Sequence, residues 1–518
     1  MSTDIWSFIA KSLRSRGDQE AWICRLIGGK RRVYTYRDIC EYALDAAFKL
    51  RQHGVRAGEI VGILAPNGPE WGVGALAVWK LGAIVAPIHT GNSDDEVVAQ
   101  LAALDPKVVL VHGVERRVQR AEPIPMERES DHIEREAGIE TLIAPSSEAV
   151  RLCTSGSTGT PKMVRLSHAN VHSNVVAASR CAHIDSSDRF LSLLPLSHMM
   201  EITGGFLLPL YSGATIVLPR VLAAQEILDA MATEKVTALI AVPRLFRNIM
   251  LGLEKRFSQG GPAMRAYRAF LRIMPVPVRR VVNFPIRRRL GGRIKAWISG
   301  GSRLDPEIAR YFRELGIPLR QGYGLTETSP VISLQENFEP VIDSVGRPLE
   351  GVEVRVHDPD RSGSGELWVR GPNVMLGYVD EGQTREVMVE ENWFRTGDLA
   401  RLDSSGNIVL TGRSKRLIVT EAGKNVYPEE LETLLERIPG IKEAGVFEQD
   451  MKPVAVLAVE GLHQVEHARQ ILKEFNARVS KHNQITRFAL VDELPRTPVG
   501  KVALKRLPEM FAAKEITR

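Results

Sequence analysis

Short apolar runs rich in β-branched residues alternate with stretches of helical period along most of this 518-residue chain, and that alternation restricts the fold more than any other feature. EIVGILA (59–65) and KVVLVH (107–112) flank a helical pattern from Trp71 to Leu81. Further runs lie at 189–194 (RFLSLL), 214–218 (ATIVL), 236–242 (VTALIAV) and 294–299 (IKAWIS), with helix-period segments at 221–233 and 305–315. Strands this apolar are covered on both faces, and helices placed between them in sequence are what covers them. The expected class is α/β, built on a largely parallel sheet.

From about residue 341 the texture changes to short strands with Gly and Asp turns: GVEVRVHD, GELWVRG and GNIVLTG. These predict a small antiparallel β unit. After LDSSGNIVLTGRSK (402–415) come a helix from Glu429 to Glu436, the strands EAGVFE and PVAVLAVE, a helix over 466–480 and a last strand, RFALVDEL. That is a compact α+β module of roughly 100 residues, enough to fold alone. The expected organisation is a large N-terminal domain over 1–411, made of mixed α/β sheets and the small β unit, followed by a small mobile α+β domain over 412–518.

Bulk properties narrow the function only a little. Hydrophobic content of 44% and charged content of 25% describe an ordinary soluble globular protein. The net charge of +6 is a mild excess that suits anionic small substrates or a membrane surface as well as nucleic acid. Cys24, Cys40, Cys153 and Cys181 form no CxxC pair, so neither a disulfide framework nor a zinc knuckle is expected. There is no signal-peptide pattern and no run of ~18 apolar residues. The expected location is the cytoplasm.

Chemistry enters at TSGSTGTPK, Thr154 to Lys162. The spacing is not that of a P-loop: Gly159 follows Gly156 by three positions, residue 161 is proline, and Lys162 precedes Met163 rather than Ser or Thr. The composition still suits phosphate. Glycines let backbone N–H groups approach an anion, Thr154, Ser155, Ser157, Thr158 and Thr160 add hydroxyl donors, and Lys162 adds a mobile cation.

Six further stretches follow in order: LPLSHMMEITGG (194–205), SGGSRLD (299–305), QGYGLTETS (321–329), WFRTGDLARLD (393–403), GRSKRLIVTEAGKNVYPEELE (412–432) and LPRTPVGKV (494–502). With TSGSTGTPK they resemble the motif series of the adenylate-forming, acyl-activating superfamily: acyl- and aryl-CoA synthetases, luciferases and peptide-synthetase adenylation domains. The resemblance spans nearly the whole chain. It implies two half-reactions: a carboxylate attacks the α-phosphate of ATP to give acyl-adenylate and pyrophosphate, and a thiol, typically of CoA, then displaces AMP. Bringing two anions to about 4 Å leaves several kcal/mol of repulsion at intermediate dielectric. Catalysis of this kind rests on cations and oriented donors around the phosphates.

The resemblance implies a role for each motif. Thr154, Ser155, Gly156, Ser157, Thr158, Gly159 and Lys162 would hold the β- and γ-phosphates and then pyrophosphate. Glu327 would hold Mg²⁺ through a carboxylate oxygen, and Thr326 would donate to the α-phosphate. Tyr323, between Gly322 and Gly324, would stack on adenine beside the backbone of Gly300, Gly301 and Ser302. Asp398 would accept both ribose hydroxyls, and Arg413 would approach ribose or phosphate. Lys501 would bridge the incoming carboxylate and the α-phosphate. His198 would gate the acyl pocket. Lys415 would be the pivot of a domain rotation between half-reactions, and Gly423, in the loop Glu421–Lys424, would line the pantetheine tunnel. With Lys501 on the small domain and Glu327 on the large one, the active site would form at their interface.

Among members of the superfamily, RRRLGGRIKAWISGGSRLDPEIARYFRELGIPLRQGYGLTETSP and EAGKNVYPEELE are most similar to bacterial long-chain fatty-acid–CoA ligases. No acid or base for discriminating a polar side chain is identified around His198–Gly205, where Met199, Met200, Ile202 and Phe206 predict an apolar pocket. Aryl acids fit such a pocket too. Residues 265–295 hold ten Arg or Lys and no acidic residue, interleaved with apolar side chains. Two readings stand for this stretch: a solvated basic helix, one that attracts ATP or CoA, or an interfacial face in peripheral contact with anionic lipid at the inner face of the membrane. Departures from the family pattern are Cys153 before the TSG, Ala422 in place of a glycine, and a short EQDMKPVAVLAVE hairpin. The last two concern the face used for the second half-reaction, so a carrier-protein phosphopantetheine stands as the alternative acceptor to CoA. A non-catalytic acyl-adenylate or lipid-binding relative is disfavoured by retention of Lys162, Glu327, Asp398, Arg413 and Lys501 together, and no nucleic-acid partner is expected.

Overall fold

The computed structural model describes residues 3–116, 118, 120–124, 142–154, 162–258, 267, 270, 271, 273–336, 341–420, 425–459, 465–496 and 502–517, with the side chains of 255–258, 415, 419, 425, 467 and 517 left aside. The predicted apolar runs become strands, but of two sheets. Ile60–Leu64 and Val108–Val111 join a seven-stranded sheet; Arg189–Leu191, Thr215–Leu218, Ala238–Ala241 and Ala296–Ser299 join a nine-stranded one. The central pairings of both sheets are parallel. Antiparallel pairings lie toward the edges: Arg31–Thr35 closes one edge of the larger sheet, and in the smaller one Lys162–Ser167 runs antiparallel to both Glu148–Thr154 and the edge strand Gly377–Tyr378. Each sheet is therefore mixed, as the α/β class with mixed sheets predicts.

The helix Pro69–Lys80 is apolar all round and almost wholly buried. A helix of that kind belongs inside a core. Its Trp71 and Trp79 rings lie 5.9 and 6.5 Å from Phe206, which in turn lies 5.8 Å from Trp22 on the strand Glu20–Arg25 of the nine-stranded sheet. On the opposite side Trp79 Nε1 donates to the Ala149 carbonyl of the seven-stranded sheet. This aromatic layer thus ties the two sheets to the segment that follows His198. Each fully buried ring of this size contributes roughly 1.5–3 kcal/mol.

Local chemistry sets the helix starts. Thr35 with Asp38, Ser93 with Glu96 and Ser167 with Asn170 each form reciprocal capping boxes that open helices at Tyr36, Asp94 and His168. The predicted helices at 221–233 and 305–315 are found at Ala224–Thr233 and Pro306–Glu314. GVEVRVHD, GELWVRG and GNIVLTG form strands Glu353–His357, Gly365–Arg370 and Ile408–Arg413 of a separate five-stranded sheet.

The chain divides into two compact units: Met1–Val354 with Val369–Phe394, and Arg355–Trp368 with Arg395–Arg518. Residues 355–368 and 395–411, placed with the large domain by the sequence reading, group with the smaller unit. The ladder between Asp398–Leu402 and Ile408–Arg413 lies wholly within this unit, whereas a division at 411/412 would fall inside it. The smaller unit also contains a four-stranded sheet in which Ile441–Gln449 and Lys452–Val459 are antiparallel and Arg487–Val491 is added in parallel. The short hairpin is closed by Asp450 and Met451, both at φ +54°, the left-handed pair of a two-residue turn.

Candidate active site

Three of the sequence motifs leave the carboxyl edge of one sheet. Arg189–Leu191 runs into the His198 segment, Ala296–Ser299 into Gly300–Ser302, and Leu319–Gly324 into Thr326–Glu327. In a parallel sheet that edge is where ligands are held. Cross-links bind the three exits together. Leu304 N donates to Gln321 Oε1 at 2.7 Å, Thr203 Oγ1 donates to the Ser329 carbonyl at 2.8 Å, and the Gly300 N–H donates to the Ala241 carbonyl at 3.0 Å. The Met200 thioether packs directly on Gly300, so a Cβ there would displace the Met200 side chain. Gly301 sits at φ +81°, the left-handed turn that begins SGGS.

The turn carrying Glu327 is held rigidly. Gly324 lies so close to the Pro330 carbonyl that any Cβ would collide with it. The Thr328 hydroxyl accepts from Leu325 N and donates to the Pro330 carbonyl at 2.8 Å. Asn373 Nδ2 donates to the Thr328 carbonyl, and the Met375 N–H donates to the Glu327 carbonyl at 2.8 Å. Tyr323 is half-buried on the strand Leu319–Gly324, and Thr326 is half-buried in the turn beside Glu327.

TSGSTGTPK bridges two antiparallel strands, Glu148–Thr154 and Lys162–Ser167, whose last register pair is Thr154 with Lys162. The Thr154 hydroxyl donates to the Lys162 carbonyl at 3.3 Å. Ser155, Gly156, Ser157, Thr158 and Gly159 lie outside the described residues. So do Gly423 and Lys501, and only the backbone of Lys415 is described.

A residue the sequence reading missed joins two of these motifs. Tyr378, only 4% exposed, donates from its hydroxyl to Glu327 Oε1 at 2.8 Å. Its ring carries the Lys162 ammonium 4.5 Å from the centroid. Burial, with the adjacent Glu327 carboxylate, pushes the Tyr378 phenol well above its usual range and keeps it an O–H donor. A sequence signal existed in the GY dipeptide at 377–378, but nothing local says which residues it meets.

The His198 segment also holds an acid that the sequence reading gave no role: Glu201 is 1% exposed. The Ser192 hydroxyl donates to it at 2.7 Å, Asn67 Nδ2 donates to Ser192 Oγ at 3.1 Å, and burial pushes the carboxyl up to about 8. Asn67 also donates to the Leu194 carbonyl and accepts from the Leu196 N–H, holding the loop that leads to His198. Phe206, read as a pocket residue, is instead in the aromatic layer, and Met199 and Ile202 are buried. The His198 ring lies 5.7 Å from His89, whose Nδ1 is hydrogen-bonded to Ser197. His89 lies just beyond the strand Ile84–Pro87 of the other sheet, and sequence reading did not identify it.

In the smaller unit, register opposes Asp398 and Arg413, and Arg413 Nε reaches Asp398 Oδ1 at 2.9 Å. Asp398 is 5% exposed while Arg413 is exposed. The Ser414–Arg416 turn is pinned by Arg416, whose guanidinium is bound by Glu429 at 2.9 Å and Glu432 at 2.6 Å.

A family model described as AMP-binding enzyme matches residues 9–379. A long-chain-fatty-acid–CoA ligase of Mycobacterium bovis is 28% identical over 565 residues, covering 94% of this chain and 92% of that protein. A 2-succinylbenzoate–CoA ligase of Bacillus subtilis is 27% identical over 493 residues, covering 92% and 93%. Among solved structures, ATP-bound MatB from Rhodopseudomonas palustris matches with a TM-score of 0.81 at 23% identity over 99% of each chain, a likeness of fold.

Proposed function

Because the chain belongs to the AMP-binding enzyme family, we propose that it is an AMP-forming acid–thiol ligase that activates an apolar carboxylic acid, a medium- or long-chain fatty acid first among them, with ATP, Mg²⁺ and CoA. In the first half-reaction a carboxylate oxygen bonds to the α-phosphorus as the bond to pyrophosphate breaks. In the second, the thiol sulfur bonds to the acyl carbon as AMP leaves, and the thiol proton passes to solvent. Curated relatives act on fatty and on aryl acids, so an aryl-acid–CoA ligase is the second reading.

The observation that carries the proposal is the Lys162–Tyr378–Glu327 arrangement: a cation and an oriented carboxylate drawn from separate motifs onto one phenol. Glu327 fits a magnesium ion, because it offers hard oxygen donors and Tyr378 fixes the carboxylate's orientation. Bound there, the ion supplies charge neutralisation to the phosphates. Lys162 and the hydroxyl-rich loop would steady the β- and γ-phosphates, Asp398 would accept from the ribose hydroxyls, and Arg413, already paired with Asp398, would orient it. Thr326 would donate to the α-phosphate, Tyr323 would cover adenine, and Lys501 would bridge carboxylate and α-phosphate. His198 would border the acyl group, and Gly423 the pantetheine arm.

Pyrophosphate release measured with a panel of carboxylic acids, with and without CoA, tests this reading. Fatty acids should support release and yield acyl-CoA. Acid-dependent release without thioester would move the acceptor to a carrier-protein phosphopantetheine, and no acid-dependent release would overturn the reading.

We propose further that the enzyme meets anionic bilayers through the segment around Val276–Arg289. There Ile273, Val278, Val281, Val282 and Phe284 are exposed beside Arg280, Arg288 and Arg289. Exposed apolar groups rimmed by arginine complement an anionic lipid surface. Lys295 is not part of this face; its ammonium is bound by Asp185 and Asp188 at 2.7 Å each. Among the described residues no helix is long and apolar enough to cross a membrane.

A further inference from the structure

We propose that Tyr378 is a positioning residue for nucleotide binding: one side chain orients Glu327 through its hydroxyl and seats Lys162 on its ring, and so fixes the spacing between the metal-side carboxylate and the phosphate-side cation. The inference rests on the reading of Glu327 as the magnesium carboxylate and of Lys162 as a phosphate-loop cation.

The backbone around Tyr378 is held on several sides. The strand Gly377–Tyr378 lies antiparallel to Lys162–Ser167, with Tyr378 opposite Val164 and Gly377 opposite Arg165. The Leu376 and Val379 N–H groups donate to the carbonyls of Arg165 and Met163, both at 2.9 Å. The Tyr378 N–H donates to Thr384 Oγ1 at 2.8 Å. The Met375 N–H holds the Glu327 carbonyl, so the chain segment that presents the phenol also grips the backbone of the residue it orients. The phenol is therefore an anchored reference point, and two longer side chains take their direction from it. An ammonium over a ring face is attracted by its quadrupole but remains able to leave for a stronger anion. A ring in this place thus parks Lys162 without binding it permanently, whereas a carboxylate partner would compete with phosphate. The hydroxyl acts on the other group. A carboxylate with one oxygen held by an O–H donor directs its second oxygen outward, and partners of this kind commonly change metal affinity 10–100-fold.

The two functions separate in two substitutions. Tyr378→Phe removes one oxygen and keeps the ring; Tyr378→Leu removes both functions. Binding is read by calorimetry with ATP in the absence of any carboxylic acid, once with excess Mg²⁺ and once with EDTA, so that no turnover is needed. Tyr378→Phe should weaken ATP binding about tenfold or more with Mg²⁺ and leave binding in EDTA unchanged. Tyr378→Leu should weaken binding in both conditions. Glu327→Gln serves as the reference. If it lowers the Mg²⁺-dependent part of binding and Tyr378→Phe does not, the positioning role is overturned while the metal reading stands. If Glu327→Gln leaves the Mg²⁺ dependence intact, the metal reading falls and takes the inference with it. Equal losses for Tyr378→Phe with Mg²⁺ and with EDTA would mark a general structural defect and also overturn the role. Should Tyr378→Leu fail to fold, Tyr378→Phe, which deletes a single atom from a buried ring, decides the hydroxyl's part.

Discussion

Glu201 places a carboxyl group where water does not reach, and the Ser192 hydroxyl only partly offsets the loss of solvent. Its folded pKa of about 8 stands above the ordinary value of 4.5. Below pH 4.5 the group is protonated folded or unfolded, and its contribution to stability is fully present. Between about 4.5 and 8 the unfolded chain releases the proton while the folded chain keeps it, so stability falls as pH rises; above 8 the loss is complete. Glu201→Gln keeps the shape without the titration. The wild-type melting temperature should fall from pH 5 to pH 8 by several degrees more than that of Glu201→Gln, an effect of about 3–4 kcal/mol. Parallel melting curves across that range would show that Glu201 does not titrate as its burial implies. This residue also marks a limit of local reading. In LPLSHMMEITGG the glutamate looks like any polar residue of a loop, and only the surrounding Ser192–Asn67 network reveals it as buried.

At the scale of elements, hydrophobic periodicity was legible. The apolar runs became strands, and the helix-period segments became helices within a few residues, because both patterns depend on near neighbours in sequence. Partnership between strands was not legible. The runs at 59–65 and 189–194 look alike, yet one enters the seven-stranded sheet and the other the nine-stranded sheet. The two short helices Val276–Val282 and Phe284–Arg289 carry a prediction of their own. The protein should float with vesicles containing phosphatidylglycerol at low salt, and Arg288→Glu with Arg289→Glu should reduce that binding by roughly tenfold or more, since each basic group near such a surface contributes about 1 kcal/mol. Absence of flotation at low salt would end the membrane proposal.

At the scale of the whole molecule, residues assigned to one half-reaction are carried by different units: Lys162 and Glu327 by the larger, Asp398, Arg413 and Lys501 by the smaller. On the proposed role of Lys501 as a charge that acts only in the first transition state, Lys501→Ala should lower acyl-adenylate formation by at least 100-fold while thioester formation from supplied acyl-adenylate stays within a few fold. Equal losses in both half-reactions, measured by pyrophosphate release and by thioester yield, would exclude that division of labour. The ordered motifs by themselves determined the family and its chemistry, and the alternation of apolar strands and helices determined the α/β class, since both are written in residue types and short spacings. Tertiary structure alone decided that Tyr378 meets Glu327 and Lys162, that His89 faces His198, and that Glu201 is sealed from water. Glu327 and Tyr378 stand 51 positions apart, and Lys162–Tyr378 and His89–His198 farther still, whereas Glu201 is sealed partly by a near neighbour, Ser192; the distant encounters follow from which strands pair across the sheets, a choice that the local sequence around each residue does not encode.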